Sequence, residues 1–284
     1  MAKAKNFGDL PQEYSNLSSA QIVIIPVPYD QTSTWIKGAD KGPAAIIEAS
    51  ANMELYDIET DYEVYRRGIF TDKPIRETSS PEAMVRAVAK RVSGHLRHGK
   101  FTIVIGGEHS VSIGSIKAHA EKYNDMTVLQ LDAHSDLRNE YHGSKYNHAC
   151  VMARVKEMCP ILQVGTRSMD YSEKGAFDKS RVFFAEDIHD KKEWIDKAIR
   201  KLSEKVYITI DLDVFDPAIM PSTGTPEPGG LLWYDVLGLF KKVCDKKNII
   251  GFDVVEMCPN RHNKAPDFAA AKLIYKLLSY KFRS

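Results

Sequence analysis

Short apolar runs that end in polar clusters recur along this chain, and between them stand longer segments with helical spacing. Residues 21–27 (QIVIIPV), 101–105, 127–131, 161–164, 181–184, 206–210 and 249–254 have the length and β-branched content of strands. Helical patterns fall at 42–50, 81–97, 111–122, 147–158, 191–203, 232–243 and 266–280. The helix that feeds the second strand of the list has a typical start signal: Ser80 can cap, Pro81 fits a first helical position, and Met84, Val85, Val88, Val92 and Leu96 share one face. Strands alternating with helices predict an α/β fold, a mostly parallel sheet covered on both faces in three α/β/α layers. Neither a repeat nor a linker-like break interrupts residues 1–284, so one domain is expected.

In such sheets, ligands bind outside the carboxyl ends of the strands, and this chain places its metal-ligating side chains there. LQLDAHSD, residues 129–136, carries Asp132, His134 and Asp136 at alternate positions. In extended chain these point the same way, so a continued strand would aim all three at one place. VYITIDLD, residues 206–213, repeats the device with Asp211 and Asp213, and GGEHS, residues 106–110, sets His109 on the loop after another strand. Six ligands are too many for one ion, whereas two divalent ions sharing carboxylates would use them all. Four aspartates would balance the four positive charges. Hard oxygen donors with two imidazoles and no thiolate favour manganese over structural zinc. Asp216, before Pro217, is expected to shape a turn, and Glu108 to orient a ligand instead of binding metal. Gly106-Gly107 lacks the spacing of a phosphate cradle.

Composition narrows the partners. A net charge of +1 offers nothing to a polyanion, so a small molecule is expected and nucleic acid is not. The opening residues lack the apolar core of a signal peptide, and no apolar run approaches the roughly 20 residues that span a bilayer. A soluble, cytoplasmic protein without a membrane partner is the expectation. Cys150, Cys159, Cys244 and Cys258 form no CxxC pair and read as reduced thiols.

GGEHS, DAHSD and TIDLDVFDP with its continuation AIMPSTGTPEPGG resemble the three signatures of the ureohydrolase family, which contains arginase and agmatinase. VPYDQTSTWIKGADKGPAAIIEAS, ELYDIE and DVVEMCPN are similar to the shorter agmatinases, so the resemblance covers nearly the whole chain. It implies an arginase/deacetylase-like fold and two Mn2+ ions per chain. His109, Asp132, Asp136 and Asp211 would hold one ion, and His134, Asp132, Asp211 and Asp213 the other. A hydroxide shared between the ions would attack a guanidinium carbon and release urea and an amine. By the same resemblance Glu256 grips the guanidinium, His148 shuttles protons and Thr225 offers a hydroxyl to the substrate. Family members assemble as trimers or hexamers, so a homo-oligomer is expected.

The substrate's tail is less determined. The loop LRNEYHGSKY, residues 137–146, follows the ligand stretch and does not match the arginase pattern, which disfavours arginine. A cationic tail would meet Glu140 or Tyr141; an anionic one, as in guanidinobutyrate, would meet Arg138 or Lys145. Similarity to the shorter agmatinases favours agmatine, cleaved to putrescine and urea. A zinc deacetylase of the same fold and a non-catalytic binding protein are the alternatives from other classes. The intact six-ligand set argues against both.

Overall fold

The computed structural model describes residues 6–191 and 193–283, so Lys192 of the expected helix at 191–203 lies outside it. Strands β1 Ile22–Val27, β2 Ile69–Thr71, β3 Phe101–Gly106, β4 Met126–Leu131, β5 Ile161–Val164, β6 Val182–Phe183, β7 Lys205–Asp211 and β8 Asn248–Val255 form one sheet. Their order is β2-β1-β3-β8-β7-β4-β5-β6, and every pairing is parallel. The helices are α1 Gln12–Ser15, α2 Gly42–Ser50, α3 Pro81–Arg97, α4 Val111–Lys122, α5 Val151–Lys156, α6 Ala185–Ile188, α7 Glu193–Lys201, α8 Trp233–Lys246 and α9 Ala265–Phe282.

The strands are apolar on both sides because both faces are covered. Ile22, Ile24, Ile103, Ile105, Leu129, Leu131, Ile208 and Ile210 belong to a core shared with α2, α7, α8 and α9. Their alternate neighbours Val23, Ile25, Val104, Val128 and Tyr207 pack in a second core with α3, α4 and α5. These are the three layers that the alternation of strands and helices predicts. Helix α3 begins as its residues require: Ser80 Oγ accepts from Ala83 N at 3.1 Å, Pro81 stands in the first turn, and its five apolar residues are buried. Each such burial stabilises by roughly 1.5–3 kcal/mol.

Departures from the expected elements have local causes. β2 is three residues long and carries no periodic signal; it is a strand because the edge of β1 pairs with it. The expected helix at 147–158 opens as a 3-10 turn, His148–Cys150, capped by Asn147 Oδ1 accepting from Ala149 N at 3.1 Å. The cysteines are free thiols. Among the described residues, no helix is long and apolar enough to cross a membrane.

Candidate metal centre and active site

Four adjacent strands, β3, β8, β7 and β4, deliver the site from their carboxyl ends. Leu131 pairs with Ile210, so Asp132 and Asp211 come next in register on neighbouring strands, and Asp211 in turn pairs with Val255, the residue before Glu256. Beyond β3 the chain must pass close to β1. Gly107 N donates to Val27 O (2.8 Å), Gly107 O accepts from Glu256 N (2.8 Å), and a Cβ here would stand 1.9 Å from Tyr29 O. Only glycine fits this passage, and it sets the next residues, Glu108 and His109, at the head of α4.

His109 is 1% exposed, and its two ring nitrogens face different partners. On the inner side Thr209 Oγ1 donates to Asp253 Oδ1 (2.6 Å), while Tyr207 OH donates to Asp253 Oδ2 (2.7 Å). Thr209 Oγ1 therefore has only lone pairs for His109 Nε2, 2.9 Å away, and Nε2 carries the hydrogen. Nδ1 is left as a buried atom without a hydrogen-bond partner. It faces Asp136 Oδ2 at 3.0 Å, Asp132 Oδ2 at 3.1 Å and Asp211 Oδ2 at 3.4 Å. A buried ring nitrogen ringed by carboxylate oxygens suits positive charge, a proton in metal-free protein or a metal ion in its place.

His134 supplies the second imidazole, with Nδ1 2.9 Å from Asp213 Oδ2 and 3.7 Å from Asp132 Oδ1. Two groups of potential ligands result among the described residues: His109, Asp132 and Asp211 in one, and Asp132, His134 and Asp213 in the other. Asp132 is common to both, as the sequence reading requires of a bridging ligand; Asp211 falls in the first group only. Gln130 Nε2 donates to Asp132 Oδ2 at 2.7 Å, and Gln130 Oε1 accepts from Gln163 Nε2 at 2.6 Å.

One expectation needs correction. The strand does not continue through DAHSD; β4 ends at Leu131, and Asp136 adopts φ +53, in the left-handed region. Its carbonyl accepts from Met152 N (2.9 Å) and Ala153 N (3.2 Å) at the start of α5, and this anchor turns the chain. The three side chains still converge, but through a turn fastened to α5 instead of through a continued pleat.

The charges are strongly coupled. Burial opposes ionisation of the His109 ring, and Asp132, Asp136 and Asp211 outweigh it, raising its pKa well above the ordinary histidine value. Burial is likewise overcome at His134, where Asp213 and Asp132 raise it to about 12. Asp136 is pushed up to about 7 by burial and by Asp132. Burial, then Asp213 and Asp132, raises Asp211. Carboxylates this crowded repel one another and gain from a cation between them.

The centre opens into a cavity of about 320 Å³. His148, Glu256 and Thr225 line it together with His109, His134, Asp136, Asp211 and Asp213. Glu256 has φ +65, and its Oε1 accepts from His109 N at 2.7 Å. Burial, then the charge of Glu108, raises its pKa well above the carboxylate range. His148 is lowered to about 4 by burial and then by the charge of His134, so its ring is neutral at pH 7. Glu140, expected to meet the substrate tail, is exposed and is not part of the lining. Arg154 explains this: it binds Asn139 O (3.2 Å) and Oδ1 (2.9 Å), and Tyr141 and Ser144 pair backbone to backbone, which turns residue 140 outward.

Arg138, Tyr141, Asp170 and Trp35 line the cavity as well. Sequence reasoning missed Asp170 and also Arg167, whose guanidinium donates to Asp213 O (2.7 Å) and Glu227 O (2.7 Å) and so ties the loop of Thr225 to the ligand turn. Both follow β5, whose end lies on the same sheet edge; the GTRSMD stretch after residues 161–164 was the available signal. Asp216 shapes its turn as expected, accepting from Ala218 N, Gly229 N and Gly230 N. Glu108 does not contact the ligand rings; its carboxylate holds Ser110 and Thr32.

A parallel α/β sheet with paired histidine–aspartate groups at its carboxyl edge defines a class, the metal-dependent hydrolases of this architecture. A family model described as "Arginase family" matches residues 20–279. The N(1)-aminopropylagmatine ureohydrolase of Synechocystis sp. is 38% identical over 94% of this chain and 90% of its own length. The agmatinase of Pyrococcus horikoshii is 30% identical over 94% of each chain. Among solved structures, the agmatine ureohydrolase of Thermoplasma volcanium superposes with a TM-score of 0.89 at 31% identity, covering 100% of this chain and 96% of that one. The chain belongs to the arginase family and is a hydrolase of its agmatinase-like ureohydrolase branch.

Proposed function

We propose that this chain is a dinuclear manganese ureohydrolase acting on agmatine or an agmatine-derived amine, with His109, Asp132, His134, Asp136, Asp211 and Asp213 as ligands. The unpartnered His109 Nδ1 among three aspartates is the observation that carries the reading. Bound there, the ions would supply a water ionised at neutral pH and electrostatic stabilisation of developing negative charge. The chain's own groups do the rest. Glu256 receives the guanidinium, with Oε1 fixed by the His109 backbone and Oε2 left for the substrate. Neutral His148 exchanges a proton with the leaving amine, and the Thr225 hydroxyl oxygen accepts a hydrogen bond from a guanidinium N–H.

Agmatine, giving putrescine and urea, is the first reading. N(1)-aminopropylagmatine is the second, favoured by the higher identity to the Synechocystis enzyme and by Asp170, an exposed carboxylate in the lining able to receive a distal ammonium. The test is urea release by manganese-loaded protein from agmatine, N(1)-aminopropylagmatine, arginine and 4-guanidinobutyrate. The two amines are expected to lead, and a higher kcat/KM for the aminopropylated one selects the second reading. Asp170→Asn should raise KM for the amines a few-fold and barely change kcat, since an exposed ion pair contributes about 0.2–1 kcal/mol. Preference for 4-guanidinobutyrate, reversed by Arg138→Gln, would overturn the amine assignment.

A further inference from the structure

The loop after β1 reaches His148 through one hydroxyl. Thr32 Oγ1 lies 2.9 Å from Glu108 Oε1, 3.0 Å from the His148 backbone N and 3.3 Å from His148 Nδ1. Glu108 is 0% exposed and acts as an acceptor: Ser110 N donates to its Oε2 (2.8 Å) and Ser110 Oγ to its Oε1 (2.8 Å). A threonine hydroxyl has a single hydrogen and two lone pairs. Its hydrogen goes to the carboxylate, because two oxygens in contact at 2.9 Å with no hydrogen between them would repel. One lone pair takes the His148 backbone N–H. The other is all that remains for Nδ1, so Nδ1 must bring the hydrogen.

We propose that Thr32 is a positioning residue that holds His148 in its Nδ1–H tautomer, leaving the Nε2 lone pair as the site that exchanges protons with substrate. Glu108 acts one step further out, by orienting the Thr32 hydroxyl. This assignment rests on His148 being the proton-transfer group and adds which nitrogen does the work and what selects it. The same logic fixes His109 with the opposite tautomer, through Thr209 and Asp253, so hydroxyls backed by carboxylates set both rings. Tyr141 meets the ring edge-on at 6.1 Å between centroids and selects neither nitrogen.

The test compares wild type, Thr32→Val, which keeps the shape and loses the hydroxyl, and Thr32→Ser, which restores it. Nitrogen-15 spectra of histidine-labelled, zinc-loaded protein at pH 7 read the tautomer, with the His148 signals assigned by their loss in His148→Gln. Wild type and Thr32→Ser are expected to show Nδ1–H, and Thr32→Val a shift towards Nε2–H. With manganese, Thr32→Val should keep its metal and KM while kcat falls on the order of 10-fold or more, a partial loss of acid–base catalysis, and Thr32→Ser should recover most of it. Wild-type His148 protonated at Nε2, or a Thr32→Val ring still protonated at Nδ1, overturns the proposal; the wild-type spectrum decides even if the valine variant does not fold. The spectrum needs no turnover, so failure to release urea from any guanidino compound would count against the function and not against the tautomer.

Discussion

At the scale of single residues, the chemistry of this site is a contest between burial and charge. In protein stripped of metal by a chelator, the aspartates keep His109 and His134 protonated at pH 7, since both are raised above the ordinary histidine value, His134 to about 12. A metal ligand must be neutral imidazole, so the incoming ion has to displace those protons. The sign follows: protons leave on metal uptake, and affinity falls as the pH is lowered. Titrating manganese into the stripped protein at pH 7 should release the protons of both histidines and, in addition, those held by Asp136 and Asp211, whose pKa values are raised by burial and by neighbouring aspartates, read from the dependence of the calorimetric enthalpy on buffer ionisation; uptake with no release would contradict the ligand set. The proposed ligands could be picked out of the sequence because aspartate and histidine at strand ends declare their own chemistry. Thr32 was not, since its partner His148 is 116 residues away and a threonine in a loop has no signature until the two are brought together. Glu140 was misplaced for the converse reason: its charge is visible in the sequence, but the direction of its loop is set by Arg154.

At the scale of elements, strand ends are useful only if the turns after them are held, and the three that carry the proposed ligands are. The passage after β3 is set by Gly107 against Tyr29, the turn after β4 by the start of α5, and the turn after β7 by Arg167. The strands and longer helices were readable from period and cap, whereas β2 and the shape of DAHSD depend on partners supplied by the rest of the chain. Gly107→Ala tests the first turn. Its Cβ would lie 1.9 Å from Tyr29 O and 2.8 Å from Tyr29 N, backbone atoms that cannot step aside. The loop carrying His109 must then move. Gly94→Ala, in α3 with nothing within 4 Å of the added Cβ, is the matched control and should gain about 0.4–1 kcal/mol. Thermal melting and metal analysis should show Gly107→Ala with a lowered Tm and reduced metal, and Gly94→Ala with neither loss. Equal melting and equal metal in both would remove Gly107 from the account.

At the scale of the whole molecule, the strand order explains why the site is where it is. The chain builds β1 to β3 on one side, crosses to lay down β4 to β6 on the other, and returns with β7 and β8 to fill the gap. The four strands that meet there are the four that carry ligands and Glu256, so the site sits where the connections part in opposite directions. Alternation of strands and helices announced the layers, but the insertion of β7 and β8 between β3 and β4 was not legible, because strand order depends on long-range pairing that no local period encodes. If this edge holds two ions that share Asp132, elemental analysis of manganese-loaded protein should find two manganese ions per wild-type chain and loss from both positions in Asp132→Ala, because both ligand groups contain Asp132; a single tightly held zinc, unchanged in Asp132→Ala, would rule the dinuclear site out.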